Sequence, residues 1–282
     1  MAKRITKEKE LEIIKFYEES PKTLGDVSKE FNLCVPTIIK ILDKYRIKRY
    51  SKSKLFSPSL IENYFSNIDN EYKAYFLGLI ITDGCIHSVE NKQSLVCITL
   101  QEKDRYILNE FIKQIRSNKK PASDSRGCYS IQVYSDTMVN DLKKYGLAER
   151  KSLKTIFPTN IDKRFYKDLL RGMIDGDGSI SYYARRNRKS HTKAIRLCQG
   201  NKQFLQDIID FLYNELNIEK VNLYREKENL WSFAYRKDIS IIKLIDYIYD
   251  NANIYMIRKK KLCDLVYTEC KQYIDGNTEI TE

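Results

Sequence analysis

Phe76-Leu77-Gly78-Leu79-Ile80-Ile81-Thr82-Asp83-Gly84 and Leu170-Arg171-Gly172-Met173-Ile174-Asp175-Gly176-Asp177-Gly178 are two versions of one nine-residue pattern, set 94 residues apart. The likeness continues outside them, with Tyr72-Lys73 matching Tyr166-Lys167 and Ile86 matching Ile180. A matched pair of this kind marks an internal duplication. Each copy reads as a helix with small residues one turn apart, Gly78 with Thr82 and Gly172 with Gly176. An interior glycine costs a helix about 1 kcal/mol, so a packing reason is expected. Small residues at this spacing let two helix backbones approach closely, with Gly78 and Gly172 at the contact. Asp83 and Asp177 then fall at the helix C-termini, where the macrodipole is already negative. Two carboxylates brought together there repel unless a cation joins them, and hard oxygen ligands suit Mg²⁺. A single Asp-Gly at a helix end is an ordinary stop signal; the pairing is what points to a site.

The order that follows each copy is also repeated. Alternating residues 95–100 and 129–134 read as strands, and 104–115 and 137–145 as helices. After Gly178 come strands at 180–184 and 194–198, a helix at 203–216, strands near Val221 and Trp231, and a helix at 239–249. Each half therefore reads α-β-β-α-β-β-α with antiparallel strands. The second strand of the first half is apolar on both faces, which leaves its base-reading side chains undetermined.

These two copies resemble the signature of the LAGLIDADG homing endonucleases, and the resemblance extends over most of residues 61–274. The second copy is the closer, since Ile81 replaces the earlier signature Asp in the first. The resemblance implies an α+β fold in which two pseudo-symmetric αββαββα repeats form a DNA-binding saddle. It implies a site-specific double-strand endonuclease that uses Mg²⁺, with Mn²⁺ able to substitute, and leaves 3′ overhangs. By the same resemblance Asp83 and Asp177 are catalytic metal ligands, helped by the backbone carbonyls of Thr82 and Gly176. A polar residue at the end of the second strand maps to Gln101 and Gln199, and a basic residue to Lys151 and Lys259. The Gln residues lie 98 apart, four more than the motifs, which suggests a longer hairpin in the second half. That hairpin carries Arg185, Arg186, Arg188, Lys189 and Lys193, five positive charges in nine residues, and reads as a DNA-tracking element.

Residues 1–58 hold 14 Lys or Arg against 8 Asp or Glu. Leu11, Ile14 and Tyr17, with Ile13 alongside, predict a first helix after Thr6; Leu24, Val27 and Phe31 predict a second. Asn32 suits a left-handed turn, Leu33 plugs the core, and Pro36 opens a third helix with Ile38, Ile41, Leu42 and Tyr45 inward. The spacing resembles the helix-turn-helix modules of resolvases and transposases. Val35, Thr37, Lys40 and Lys44 on the outer face, with Arg46 and Arg49 after it, are the candidate DNA contacts. Residues 48–54 then read as a basic linker along the duplex.

The domain expectation is thus 1–54 for this module and linker, 55–159 and 160–274 for the two repeats, and 275–282 for a tail. A net charge of +12 favours a polyanionic partner. Seven Cys without a C-x-x-C pair argue against a disulfide framework and a zinc ribbon, and two His exclude His-rich metal clusters. The longest apolar run, 76–81, is too short for a bilayer, and the polar start offers no secretory segment. Together with the family resemblance, which implies a phage- or bacterially encoded member, these readings lead to the expectation of a cytoplasmic, monomeric protein acting on a long asymmetric DNA target. A catalytically inactive DNA-binding regulator and an intron RNA maturase are the competing classes. An intein is disfavoured, because flanking splicing blocks are missing.

Overall fold

The computed structural model describes residues 5–88, 93–149, 153–184 and 191–278. The chain opens with α1 (Lys7–Glu19), α2 (Leu24–Phe31) and α3 (Val35–Lys44). The Thr6 hydroxyl accepts from the Lys9 N–H, Thr23 and Asp26 close a reciprocal capping box, and Asn32 ends α2 at φ 50°. Ile13, Ile14, Tyr17, Val27, Ile38, Ile41 and Leu42 form a core of their own. Leu11, expected inside, is 49% exposed. The buried face of α1 is centred on Ile13, Ile14 and Tyr17, and at about 100° per residue Leu11 lies on the flank.

The expected basic linker is instead a docked strap. Ser51 caps a short helix, α4 (Lys52–Phe56), which crosses the expected boundary after residue 54. Lys48 Nζ donates to Thr137 Oγ1, the Lys52 N–H to Gln93 Oε1, and the Tyr134 N–H to Ser53 Oγ. Lys54 Nζ is spent on the Leu60 carbonyl. These hydrogen bonds hold the strap to the first repeat.

The first repeat runs α5 (Glu71–Thr82), β1 (Gly84–His87), β2 (Leu95–Gln101), α6 (Arg105–Gln114), β3 (Ala122–Ser123), β4 (Cys128–Tyr134) and α7 (Asp136–Lys144). The second runs α8 (Tyr166–Asp177), β5 (Gly178–Ala184), β6 (His191–Gln199), α9 (Lys202–Leu216), β7 (Tyr224–Lys227), β8 (Leu230–Tyr235) and α10 (Asp238–Tyr249). The two antiparallel sheets have corresponding orders, β1-β2-β4-β3 and β5-β6-β8-β7. This is the α+β, two-repeat architecture expected from the sequence. A long last helix, α11 (Ile257–Thr278), was not foreseen and runs past residue 274. Among its described residues the fully buried apolar side chains are Cys263, Val266 and Cys270, too narrow and too weakly apolar a stripe to stand out in sequence.

One core serves both repeats, and α5 and α8 cross at its centre. Ala74 to Thr82 are all buried, so α5 is apolar around its whole circumference. A Cβ on Gly78 would lie 2.1 Å from the Leu169 carbonyl oxygen, and one on Gly172 would lie 2.1 Å from that of Tyr75. Leu169 is the counterpart of Tyr75, so the contact is the same on both sides of the pseudo-two-fold. Backbone rests on backbone, which no rotamer change can relieve. Gly172→Ala should therefore destabilise the protein by at least the ~1–3 kcal/mol typical of overpacking. Urea unfolding of the variant checks this, and an unchanged midpoint would contradict the contact.

Candidate active site

The crossing helices end side by side in charge. Asp83 caps α5, its N–H bonded to the Leu79 carbonyl at 2.8 Å, and is half-buried. Asp177 is the last residue of α8 and is exposed. Next to them the symmetry breaks. The buried Thr82 hydroxyl donates back to the carbonyls of Gly78 and Leu79, each at 3.1 Å. A Cβ on Gly176 would fall 1.9 Å from that oxygen. Positions 82 and 176 face each other, and only one of them has room for a side chain.

Lys259, near the start of α11, is 5% exposed and reaches beneath the end of α8. Its ammonium donates to the carbonyls of Ile174, Gly176 and Gly178 at 2.7, 2.9 and 2.7 Å. An ammonium has three N–H groups, and all are used. Burial lowers its pKa to about 8, against the attraction of Asp175, Asp83 and Asp177. Lys259 thus spends its three donors on backbone, and the Gly176 carbonyl, expected to help bind metal, also accepts from the ammonium. Lys260 pairs with Asp264 instead, so Lys259 is the residue of this basic cluster that lies at the site.

Asp175 explains why the two motif copies differ. Its Oδ2 accepts from Tyr75 OH at 2.8 Å and from the Met256 N–H at 2.7 Å, while Oδ1 is buried without a hydrogen-bond partner. Burial pushes its pKa up to about 6. This carboxylate ties α8 to the segment leading into α11. Its counterpart Ile81 is wholly buried among apolar residues. Arg171, also fully buried, works alongside it. It donates to the Ile254 and Ile248 carbonyls at 2.7 and 2.6 Å, and to Glu71 and Asp168 at 2.7 and 2.8 Å. Sequence reading missed this network; a lone Arg inside an apolar helix pattern was the available signal.

The strand-end glutamines are not equivalents. Gly84 pairs with Ile98, and Gly178 with Leu197. The second hairpin is therefore five residues longer, not four, and Gln101 corresponds to Gly200. A one-residue difference in register turns a side chain to the other face. Gln101 lies on the outer face with Cys97 and Thr99 and is exposed. Gln199 lies on the core side, 7% exposed, with Oε1 accepting from the Gly200 N–H. The outer face near Asp177 instead carries Cys198 and Arg196, whose guanidinium pairs with Glu226, which Ser232 also holds.

Among the other expected contacts, Lys40, Arg46 and Arg49 are exposed, and Val35 and Thr37 are half-buried. Lys44 is engaged by Glu10 of α1, which also accepts from Tyr45 OH. Lys193 is drawn to the core side of β6, where it pairs with Asp238 at 2.9 Å and approaches Glu269 at 4.0 Å. Both lysines thus pair with neighbouring carboxylates, Lys193 nearly buried and Lys44 with its side chain 58% exposed. Lys151, Arg185, Arg186, Arg188 and Lys189 lie outside the described residues.

Among the described residues no three His, Cys, Asp or Glu side chains gather into a metal cluster. The donors at the helix ends are two carboxylates and the Thr82 carbonyl. Such an all-oxygen set suits Mg²⁺, which keeps several waters and takes further oxygens from a phosphate. No helix of the described residues is long and apolar enough to cross a membrane.

Residues 164–260 match the family model described as a LAGLIDADG-like domain. The LAGLIDADG meganuclease I-AabMI bound to uncleaved DNA has a similar fold, with TM-score 0.52 and 15% identity over 74% of this chain and 93% of that one. The homing endonuclease I-GzeII in complex with its DNA target gives TM-score 0.53 and 16% identity over 75% and 92%. A curated relative, the DNA-directed RNA polymerase subunit Rpo1C of Methanocaldococcus jannaschii, is 23% identical over 150 residues. That alignment covers 51% of this chain and spans only 16% of the relative's length.

The buried Asp175 carboxyl makes stability depend on pH. Its pKa is raised on folding, so its contribution is full below about pH 4 and is lost as pH rises through about 6. The stability of the wild type minus that of Asp175→Asn should fall by on the order of 3 kcal/mol from pH 4 to pH 7. Urea titrations of both proteins at the two pH values measure it. A constant difference would place the titration elsewhere.

Proposed function

We infer that this chain, with a LAGLIDADG-like domain at residues 164–260 and the two-repeat fold of the homing endonucleases, is a site-specific DNA endonuclease. The observation that carries this reading is the placement of Asp83 and Asp177 at the C-terminal ends of two helices locked backbone to backbone. Asp83 and Asp177 would hold Mg²⁺, with the Thr82 carbonyl beside them. A bound ion of this kind polarises the scissile phosphate and activates water. The protein's own part is positioning. The Gly78–Gly172 contact fixes the spacing of the two carboxylates, and Lys259 clamps the backbone on both sides of Asp177. Attack on one phosphate in each strand across the minor groove then leaves a staggered break with 3′ overhangs.

The outer faces of the two sheets are the surface for DNA. Arg196, held by Glu226 next to the second site, is suited to a bidentate contact with guanine. The unequal hairpins and unequal outer faces suit a long asymmetric target bound by a monomer. Residues 5–50 add a second contact through Lys40, Arg46 and Arg49. Ile81 in place of the signature Asp is the feature that would favour an inactive regulator; it is a core residue, and Asp83 and Asp177 still stand at the helix ends.

Two outcomes follow for DNA carrying the uninterrupted form of the gene's own insertion locus. Asp83→Asn and Asp177→Asn should each lose double-strand cleavage while keeping near wild-type affinity, since most affinity comes from phosphate contacts elsewhere. Strand-resolved cleavage with and without Mg²⁺ measures this, and undiminished cutting by either variant would remove that carboxylate from the site. Changing Lys40, Arg46 and Arg49 together to Ala should reduce the slope of log affinity against log salt by about 3, whereas Lys44→Ala should leave it nearly unchanged. Equal slopes for the triple variant and the wild type would exclude these three as phosphate contacts.

A further inference from the structure

None of the seven cysteines is in a disulfide. Two of them meet on the outer face of the first sheet. Cys85 of β1 and Cys97 of β2 are direct cross-strand partners. Their neighbours Ile86, Val96 and Ile98 point into the core, so both thiols point outward, and both are half-exposed. Residues opposed in an antiparallel pair have Cα atoms about 4.5–5.5 Å apart. A disulfide spans about 4.4–6.8 Å, so a rung of this kind lies within its reach. Burial pushes the Cys97 thiol up, and the neighbouring Cys85 adds to the rise. The same rung in the second repeat is Ser179 opposite Arg196, so the architecture itself does not require thiols here.

We propose that Cys85 and Cys97 form an oxidation-sensitive dithiol that closes to a cross-strand disulfide by exchange with a small-molecule disulfide of the glutathione class. One thiolate attacks a sulfur of oxidised glutathione, breaking its S–S bond and releasing one glutathione thiolate. The second cysteine attacks the mixed disulfide, forming the protein S–S bond and releasing the other. The two thiol protons pass to the departing thiolates. The two cysteines are oxidised by two electrons, and one glutathione disulfide is reduced to two thiols. The product is a covalent rung two residues from Asp83, on the outer face of one repeat only.

Treating the full-length protein with oxidised glutathione, followed by non-reducing peptide mapping, tests the proposal. Cys34 supplies an internal control. It is exposed, and the Thr37 hydroxyl hydrogen-bonded to it holds its thiol below the usual range, so it should pick up and keep glutathione. Cys85 and Cys97 should instead appear as one cross-linked peptide pair lacking two hydrogens, reversible with dithiothreitol. In Cys97→Ser, with no second thiol to resolve it, Cys85 should retain glutathione. Glutathione retained on Cys85 or Cys97 of the wild type would overturn the proposal. So would two free thiols in a sample whose Cys34 has reacted.

Discussion

The contact of α5 with α8 at Gly78 and Gly172 is the constraint from which the rest of the structure follows. Each glycine sits against a carbonyl oxygen of the other helix, at a distance where even a methyl group would overlap it. With the helices that close, the two sheets are held on either side of one shared core. The helix ends also emerge together, which brings two carboxylates and two negative helix termini to one place. Such a concentration of like charge is unfavourable by itself. The buried ammonium of Lys259, bonded to three carbonyls at the end of α8, offsets part of it.

The duplication is symmetric in backbone and asymmetric in chemistry. The second repeat carries most of the buried ions, Arg171, Asp168, Asp175 and Lys259, while the first has Asp104 and Asp141. Charges at such depth need partners, and three of theirs are backbone groups between Ile248 and Met256. Glu71, at the start of α5, joins them by accepting from Arg171 and from the N–H groups of Asn253 and Ile254. The segment before α11 is thereby fastened to both repeats. Arg258 adds an ion pair to Asp104, and Tyr106 bonds the backbone at Tyr255 and Ile257. The first repeat has the strap of residues 48–56 in place of this polar network.

Much of this was legible in the sequence, because it depends on local rules. The duplicated motif, the small residues on one helix face, the Asp residues at helix ends and the alternating strands each follow from spacing within one element. So do the turn at Asn32 and the caps of the first helices. The helix α11 escaped notice because its inward stripe of Cys and Val carries little periodic signal.

What sequence could not decide is whatever depends on partners distant along the chain. Strand register made Gln101 an outward residue and Gln199 an inward one, since a difference of one residue in hairpin length reverses the face. Register likewise separated inward Val96, Ile98 and Leu100 from outward Cys97, Thr99 and Gln101 in a strand that reads as apolar throughout. Lysines read as DNA contacts had carboxylate partners at hand, Lys44 with Glu10 and Lys193 with Asp238, and Lys259, read as a catalytic residue, had the carbonyls at the end of α8. The chain's own sequence determined that two helices must touch and that each must end in Asp. Only the packed structure decided which charges remain for a partner, because an ammonium is satisfied by whichever acceptors the fold brings within reach.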